Sequence, residues 1–104
     1  MTIETISQDI DLINAHFKDR YNNASDYQRL LSQVVKLNEE VGELCEAALH
    51  ENNEQRVEKT DIDLGSEVAD VIICALMIAK TKDISIWAEI DKKIAKIKRR
   101  HGLI

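Results

Sequence analysis

Glu40 and Glu43 stand three residues apart, as do Glu67 and Asp70, and Glu39 directly precedes the first pair. Each pair lies in a stretch whose apolar residues recur with helical spacing. Residues three apart share a helix face, so each pair presents its carboxylates in one direction. Like charges at that spacing repel and give the helix nothing. Four carboxylates brought together call for a cation, and an oxygen-only donor set suits a hard one, Mg²⁺ or Mn²⁺.

Four amphipathic helices are expected to carry these residues. Ile3, Ile6, Ile10, Ile13, Phe17 and Tyr21 form the first stripe, and Leu30, Val34, Leu37, Val41, Leu44 and Ala48 the second. Leu64, Val68, Val71, Ala75 and Ile78 form the third, and Ile86, Ile90, Ile94 and Ile97 the fourth. Steps of three and four are helical, and no alternating run of strand character interrupts them. The polar break at residues 21–24 precedes a capping box of Ser25 with Gln28. Residues 51–55 lose the stripe and read as a loop, after which Thr60 with Asp63 opens the third helix. Residues 81–83 separate the last two helices, with Asp83 or Ser85 as cap, and His101-Gly102 closes the fourth.

The helical period also places the acids around each axis. Measured from the Leu30/Leu37/Leu44 seam, Glu40 lies roughly 80° and Glu43 roughly 140° to one side. Measured from Leu64, Glu67 lies roughly 60° and Asp70 roughly 120° to the same side. Helices joined by a short connection pack antiparallel. Equivalent flanks then meet, and the two pairs lie at similar depth from the connection. No lysine is interleaved between the acids to neutralise them. Gly42 sits among them, where a mid-helix glycine costs about 1 kcal/mol against alanine. Close approach by another helix or a ligand would offset that cost.

The bulk properties bound the function. At 104 residues the chain reads as one domain, too small to bury all its apolar surface alone, so assembly is expected. No apolar run reaches the roughly 18–20 residues of a membrane span, and the N-terminus carries no secretory pattern. Neither a membrane nor an exported location is therefore expected, and the cytoplasm is the default. A net charge of −5 argues against a nucleic-acid polymer as partner, although the last helix is basic. Cys45 and Cys74 have no ligand or redox spacing and read as reduced packing residues. His16, His50 and His101 show no ligand spacing either.

The segment Lys36-Leu37-Asn38-Glu39-Glu40-Val41-Gly42-Glu43-Leu44, followed by Glu67-Val68-Ala69-Asp70-Val71, resembles the MazG-type nucleoside triphosphate pyrophosphohydrolases of the all-α NTP pyrophosphatase group. Every acidic position of that family's pattern is present. The resemblance implies an all-α, four-helix MazG-like bundle completed by oligomerisation, a homodimer or homotetramer, over a single domain of residues 1–104. It implies Mg²⁺-dependent hydrolysis of nucleoside or deoxynucleoside triphosphates between the α- and β-phosphates. The products would be a nucleoside monophosphate and pyrophosphate, in a nucleotide house-cleaning role. By the same resemblance Glu40, Glu43, Glu67 and Asp70 hold the metal, and Glu39 assists with a second ion or by orienting water. Lys96 and Arg100, four apart on the last helix, are implied to contact the triphosphate, from their own or a neighbouring subunit. Trp87 could stack on a base and Asn38 hydrogen-bond the nucleotide, while Trp87 equally begins the fourth apolar stripe.

Other functions fit parts of the pattern. A non-catalytic helical interaction module would leave the acids solvated and indifferent to Mg²⁺. A nucleotide sensor would keep the metal site and bind without turnover. A carboxylate-bridged di-iron bundle needs Glu-x-x-His pairs, and none occurs.

Overall fold

A computed structural model describes residues 1–51 and 63–104. The described residues form four helices: α1 (Ile3–Arg20), α2 (Asp26–Glu51), α3 (Leu64–Thr81) and α4 (Ile86–Arg100). This is the expected all-α arrangement.

Local chemistry sets most helix ends. Thr2 and Thr5 form a reciprocal capping box: the Thr5 N–H donates to Thr2 Oγ1 (3.1 Å) and the Thr2 N–H to Thr5 Oγ1 (2.8 Å). The expected Ser25/Gln28 box is present, with hydrogen bonds of 3.1 and 2.8 Å. Asp63 caps α3 by accepting from the Gly65 N–H at 3.0 Å. Thr60, the expected opening residue, lies outside the described residues, as do residues 52–55 of the expected loop; Glu51 is the last residue of α2. Ser85 holds the cap position of α4 without a side-chain hydrogen bond.

Asp83 plays another part from the cap expected of it. It adopts φ 54°, just beyond α3. The Ile84 N–H reaches Ala79 O at 2.8 Å and the Asp83 N–H reaches Lys80 O at 3.2 Å. That is a Schellman closure, which satisfies carbonyls the helix leaves open. The same closure ends α4 with Gly102 at φ 66°, and Leu103 reaching back to Lys98 O.

Two contacts organise the packing. The broadest is α2 against α3, and α1 lies across α3. Asn14 Oδ1 accepts from Gln33 Nε2 at 3.1 Å and from Thr81 Oγ1 at 3.3 Å. This junction ties the start of α2 to the end of α3, while the acids meet further along both, so the pair runs antiparallel. Lys80 reaches Ser7 Oγ at 2.8 Å and pairs with Asp11 at 3.3 Å. Ile10, Leu76 and Met77 form the buried core, with Ile6 and Ile86 packed against it.

The apolar stripes are turned differently from expectation. On α2 the face toward the interior carries Gln33, Leu37, Glu40, Leu44 and Ala47, while Val34, Val41 and Ala48 of the expected seam are exposed. On α3, Val68 and Ala75 are exposed, and Leu76, Met77 and Ala79 are buried. Ile3, Ile13 and Phe17 of α1, Tyr21 just beyond it, and Ile90, Ile94 and Ile97 of α4 are exposed as well. Among the described residues α3 packs against both α2 and α1, and no other two helices meet as broadly. Each other helix therefore leaves part of its apolar face uncovered.

Candidate metal centre

Glu40 is the buried charged residue of the described fold, 7% exposed. It lies on the α2 face that meets α3, one turn before Leu44 and two after Gln33. Glu43 follows one turn later and remains exposed, whereas Glu67 and Asp70 on α3 are half-buried. One carboxylate oxygen from each of the four lies within 4.8 Å of the others. The expected convergence on one groove is what the structure has. The acids differ from expectation in depth: Glu40 points into the helix interface rather than along its flank.

Such a cluster is costly without a counter-charge. Glu40 against Glu67 alone costs on the order of 1–4 kcal/mol across the dielectric range of a partly buried site. Glu40 Oε2 and Glu67 Oε2 are both buried and accept no hydrogen bond. Buried carboxylate oxygens are ordinarily satisfied by a donor or an ion. Two orphaned oxygens facing one cluster of hard donors fit a divalent cation with oxygen preference.

Protonation offers partial relief. The Glu43 carboxyl is held above its ordinary value of 4.5, first by its hydrogen bond with Glu40 and then by Glu40's charge, with burial and Glu67 adding to both. The folded state therefore favours protonated Glu43. Its contribution to stability is complete below pH 4.5 and is lost as pH rises through the raised value. In metal-free protein the melting temperature should fall across that window, and Glu43→Gln should flatten the slope. Thermal melts from roughly pH 4 to pH 8 in chelator test this.

Sequence reasoning missed Lys36. Its ammonium lies 3.2 Å from Glu40 Oε1 and 3.6 Å from Glu39 Oε2. No lysine is interleaved among the acids, but the one a turn before Glu40 pairs with it and with Glu39, a counter-charge the sequence reading did not include. The signal was the i,i+4 spacing to Glu40. The two carboxylates hold the Lys36 ammonium above its ordinary 10.5, Glu40's hydrogen bond and charge leading.

The remaining candidates are placed unevenly. Glu39 is exposed beside the cluster, tied to Lys36, and Asn38 is exposed on the same helix. Lys96 and Arg100 are exposed on α4, which packs broadly against neither acid-bearing helix. Trp87 lines a groove of about 320 Å³ with Ile6, Ile10, Leu76 and Lys80. Lys80 stands ten residues beyond Asp70, about 15 Å along α3, so one chain does not bring Trp87 to the acids.

Two further expectations change. A Cβ at Gly42 would meet nothing within 4 Å, so among the described residues no neighbouring helix approaches it. Cys45 is exposed rather than packed, and Cys74 is half-buried; both are free thiols. Burial pushes the Cys74 thiol upward, and Glu40's charge adds to that.

Set against curated proteins and against solved structures, the chain matches none. The family model described as the MazG nucleotide pyrophosphohydrolase domain matches residues 28–103, from the first turn of α2 through the end of α4. With both acidic pairs inside that match, the chain belongs to the MazG nucleotide pyrophosphohydrolase family.

Proposed function

We propose that this protein hydrolyses nucleoside or deoxynucleoside triphosphates at the bond between the α- and β-phosphates, with Mg²⁺ or Mn²⁺ as cofactor. Water adds to the triphosphate, and the monophosphate and pyrophosphate leave. The observation that carries this reading is the buried, partnerless oxygens of Glu40 and Glu67 within one four-carboxylate cluster. Glu40, Glu43, Glu67 and Asp70 would hold the cation. Bound there, it would neutralise the carboxylates against the incoming phosphates and supply Lewis acidity for water attack.

The protein's own groups divide the rest. Glu39, exposed at the rim, would orient water and take its proton. Asn38, also exposed on α2, would make a polar contact to the nucleotide. Lys96 and Arg100 are the proposed phosphate cations and Trp87 the proposed base-stacking group. The lack of a broad contact between α4 and either acid-bearing helix favours delivery by a second copy. Residues 1–104 are read as one such domain, cytoplasmic, with a house-cleaning role.

Shape supports assembly as a homodimer or homotetramer. The radius of gyration is 16.7 Å, against about 13 Å for a compact domain of this length. The accessible surface is 8205 Å², where a compact chain of this mass exposes about 6,000 Å². The excess matches what one subunit contributes to an obligate interface of roughly 4,000 Å². No described helix is long and apolar enough to cross a membrane, and the exposed stripes are better covered by another copy.

Pyrophosphate release tests the reading, across a panel of NTPs and dNTPs, with Mg²⁺ and then with EDTA. The sample should first be shown by light scattering to contain two or four chains. Metal-dependent release on at least one substrate supports the reading. Metal-dependent binding without release would favour the sensor.

A further inference from the structure

Lys36 occupies the position that a metal ion must contest. Its ammonium holds Glu40 Oε1, while Oε2 of the same carboxylate is buried and partnerless. The Lys36 side chain is 57% exposed, so its two carboxylate contacts are what hold it. A divalent ion drawn to Glu40 and Glu67 would enter within a few ångströms of that ammonium, and like charges so close repel. Lysine, a compact charge on a flexible four-carbon stem, can leave without disturbing the helix. The negative charge it can turn to next is a phosphate arriving with the metal.

We propose that Lys36 is a displaceable counter-ion of the acidic cluster. It neutralises Glu40 and Glu39 in the metal-free protein and competes with the divalent cation for Glu40. Once the metal is seated, it transfers to the substrate's phosphate oxygens. The proposal rests on the metal-site reading above. It makes Lys36 a residue that weakens metal binding in the free protein and strengthens nucleotide binding in the loaded one. A lysine serving only as a solvated surface charge would do neither.

The test is calorimetric titration of wild type, Lys36→Gln and Lys36→Arg with Mn²⁺ alone, at low and high salt. Lys36→Gln should bind Mn²⁺ about tenfold more tightly at low salt, the effect of one unit charge about 6 Å from a doubly charged ion in a water-like dielectric. The gain should shrink as salt screens it. Lys36→Arg should match wild type. In steady-state assays at saturating metal, Lys36→Gln should raise KM about tenfold, as loss of one charge-assisted hydrogen bond implies, with Arg restoring it. Unchanged or weaker Mn²⁺ binding by Lys36→Gln, or an unchanged KM, overturns the proposal while leaving the metal site standing. Wild type that takes up no Mn²⁺ overturns both.

Discussion

Replacing Glu40 by Gln should abolish pyrophosphate release and, in the same protein, raise the melting temperature measured in EDTA. The two effects share one cause. Glu40 is the most enclosed of the four acids, and its charge faces Glu43 on its own helix and Glu67 and Asp70 across the helix interface. An amide of the same shape removes that repulsion; it forfeits the Lys36 ion pair, which solvent screens, and weakens the hydrogen bond with Glu43. The gain against Glu67 alone is on the order of 1–4 kcal/mol. A domain of this size would then melt about 5 °C higher. Activity should move the other way. Metal-borne charge stabilisation is worth several kcal/mol, so losing a ligand should cost about a thousandfold or more in turnover. A variant both more stable and inactive identifies a strained functional site. If Glu40→Gln were destabilised and still active, the cluster would be structural.

Divalent metal should stabilise the wild-type protein strongly. A ligand present at a hundred times its Kd adds about 2.7 kcal/mol to the folded state, which corresponds to about 10 °C in a chain of this length. The shift should appear with Mg²⁺ or Mn²⁺, disappear with EDTA, and be largely absent in Glu40→Gln and Asp70→Asn. The ion would supply the positive charge the cluster lacks and satisfy the orphaned oxygens of Glu40 and Glu67. Differential scanning fluorimetry measures this directly. No shift, in protein shown to be folded, would return the acids to the solvated face of an interaction module.

How far these features could be read from the residues follows from what helical periodicity encodes. It fixes azimuth, so the matched phase and depth of Glu40/Glu43 and Glu67/Asp70 were legible, and the structure brings them together. It does not fix which part of a broad apolar face turns inward. On α2, Val34, Val35 and Val41 compete with Leu37, Leu44 and Ala47, and only the fit against α3 selects the second set. That choice carries Glu40 from flank to interior. Nor does a stripe say whether it is buried by its own chain or by another, which is why Ile90, Ile94 and Ile97 gave a clear helix yet lie exposed. The Thr2/Thr5 box escaped notice because threonine here takes the place of the usual Glu or Gln. Asp83 was legible as a helix-end residue; its left-handed conformation, more usual for glycine or asparagine, was not.

The position of bond cleavage is the most direct test of the proposed chemistry. ³¹P NMR of a nucleoside triphosphate incubated with the protein distinguishes every product in one spectrum. With Mg²⁺ the α-phosphorus should appear as nucleoside monophosphate and the other two as pyrophosphate, with no change in EDTA. Nucleoside diphosphate with orthophosphate, or the same products in EDTA, would contradict metal-dependent pyrophosphohydrolysis at this cluster.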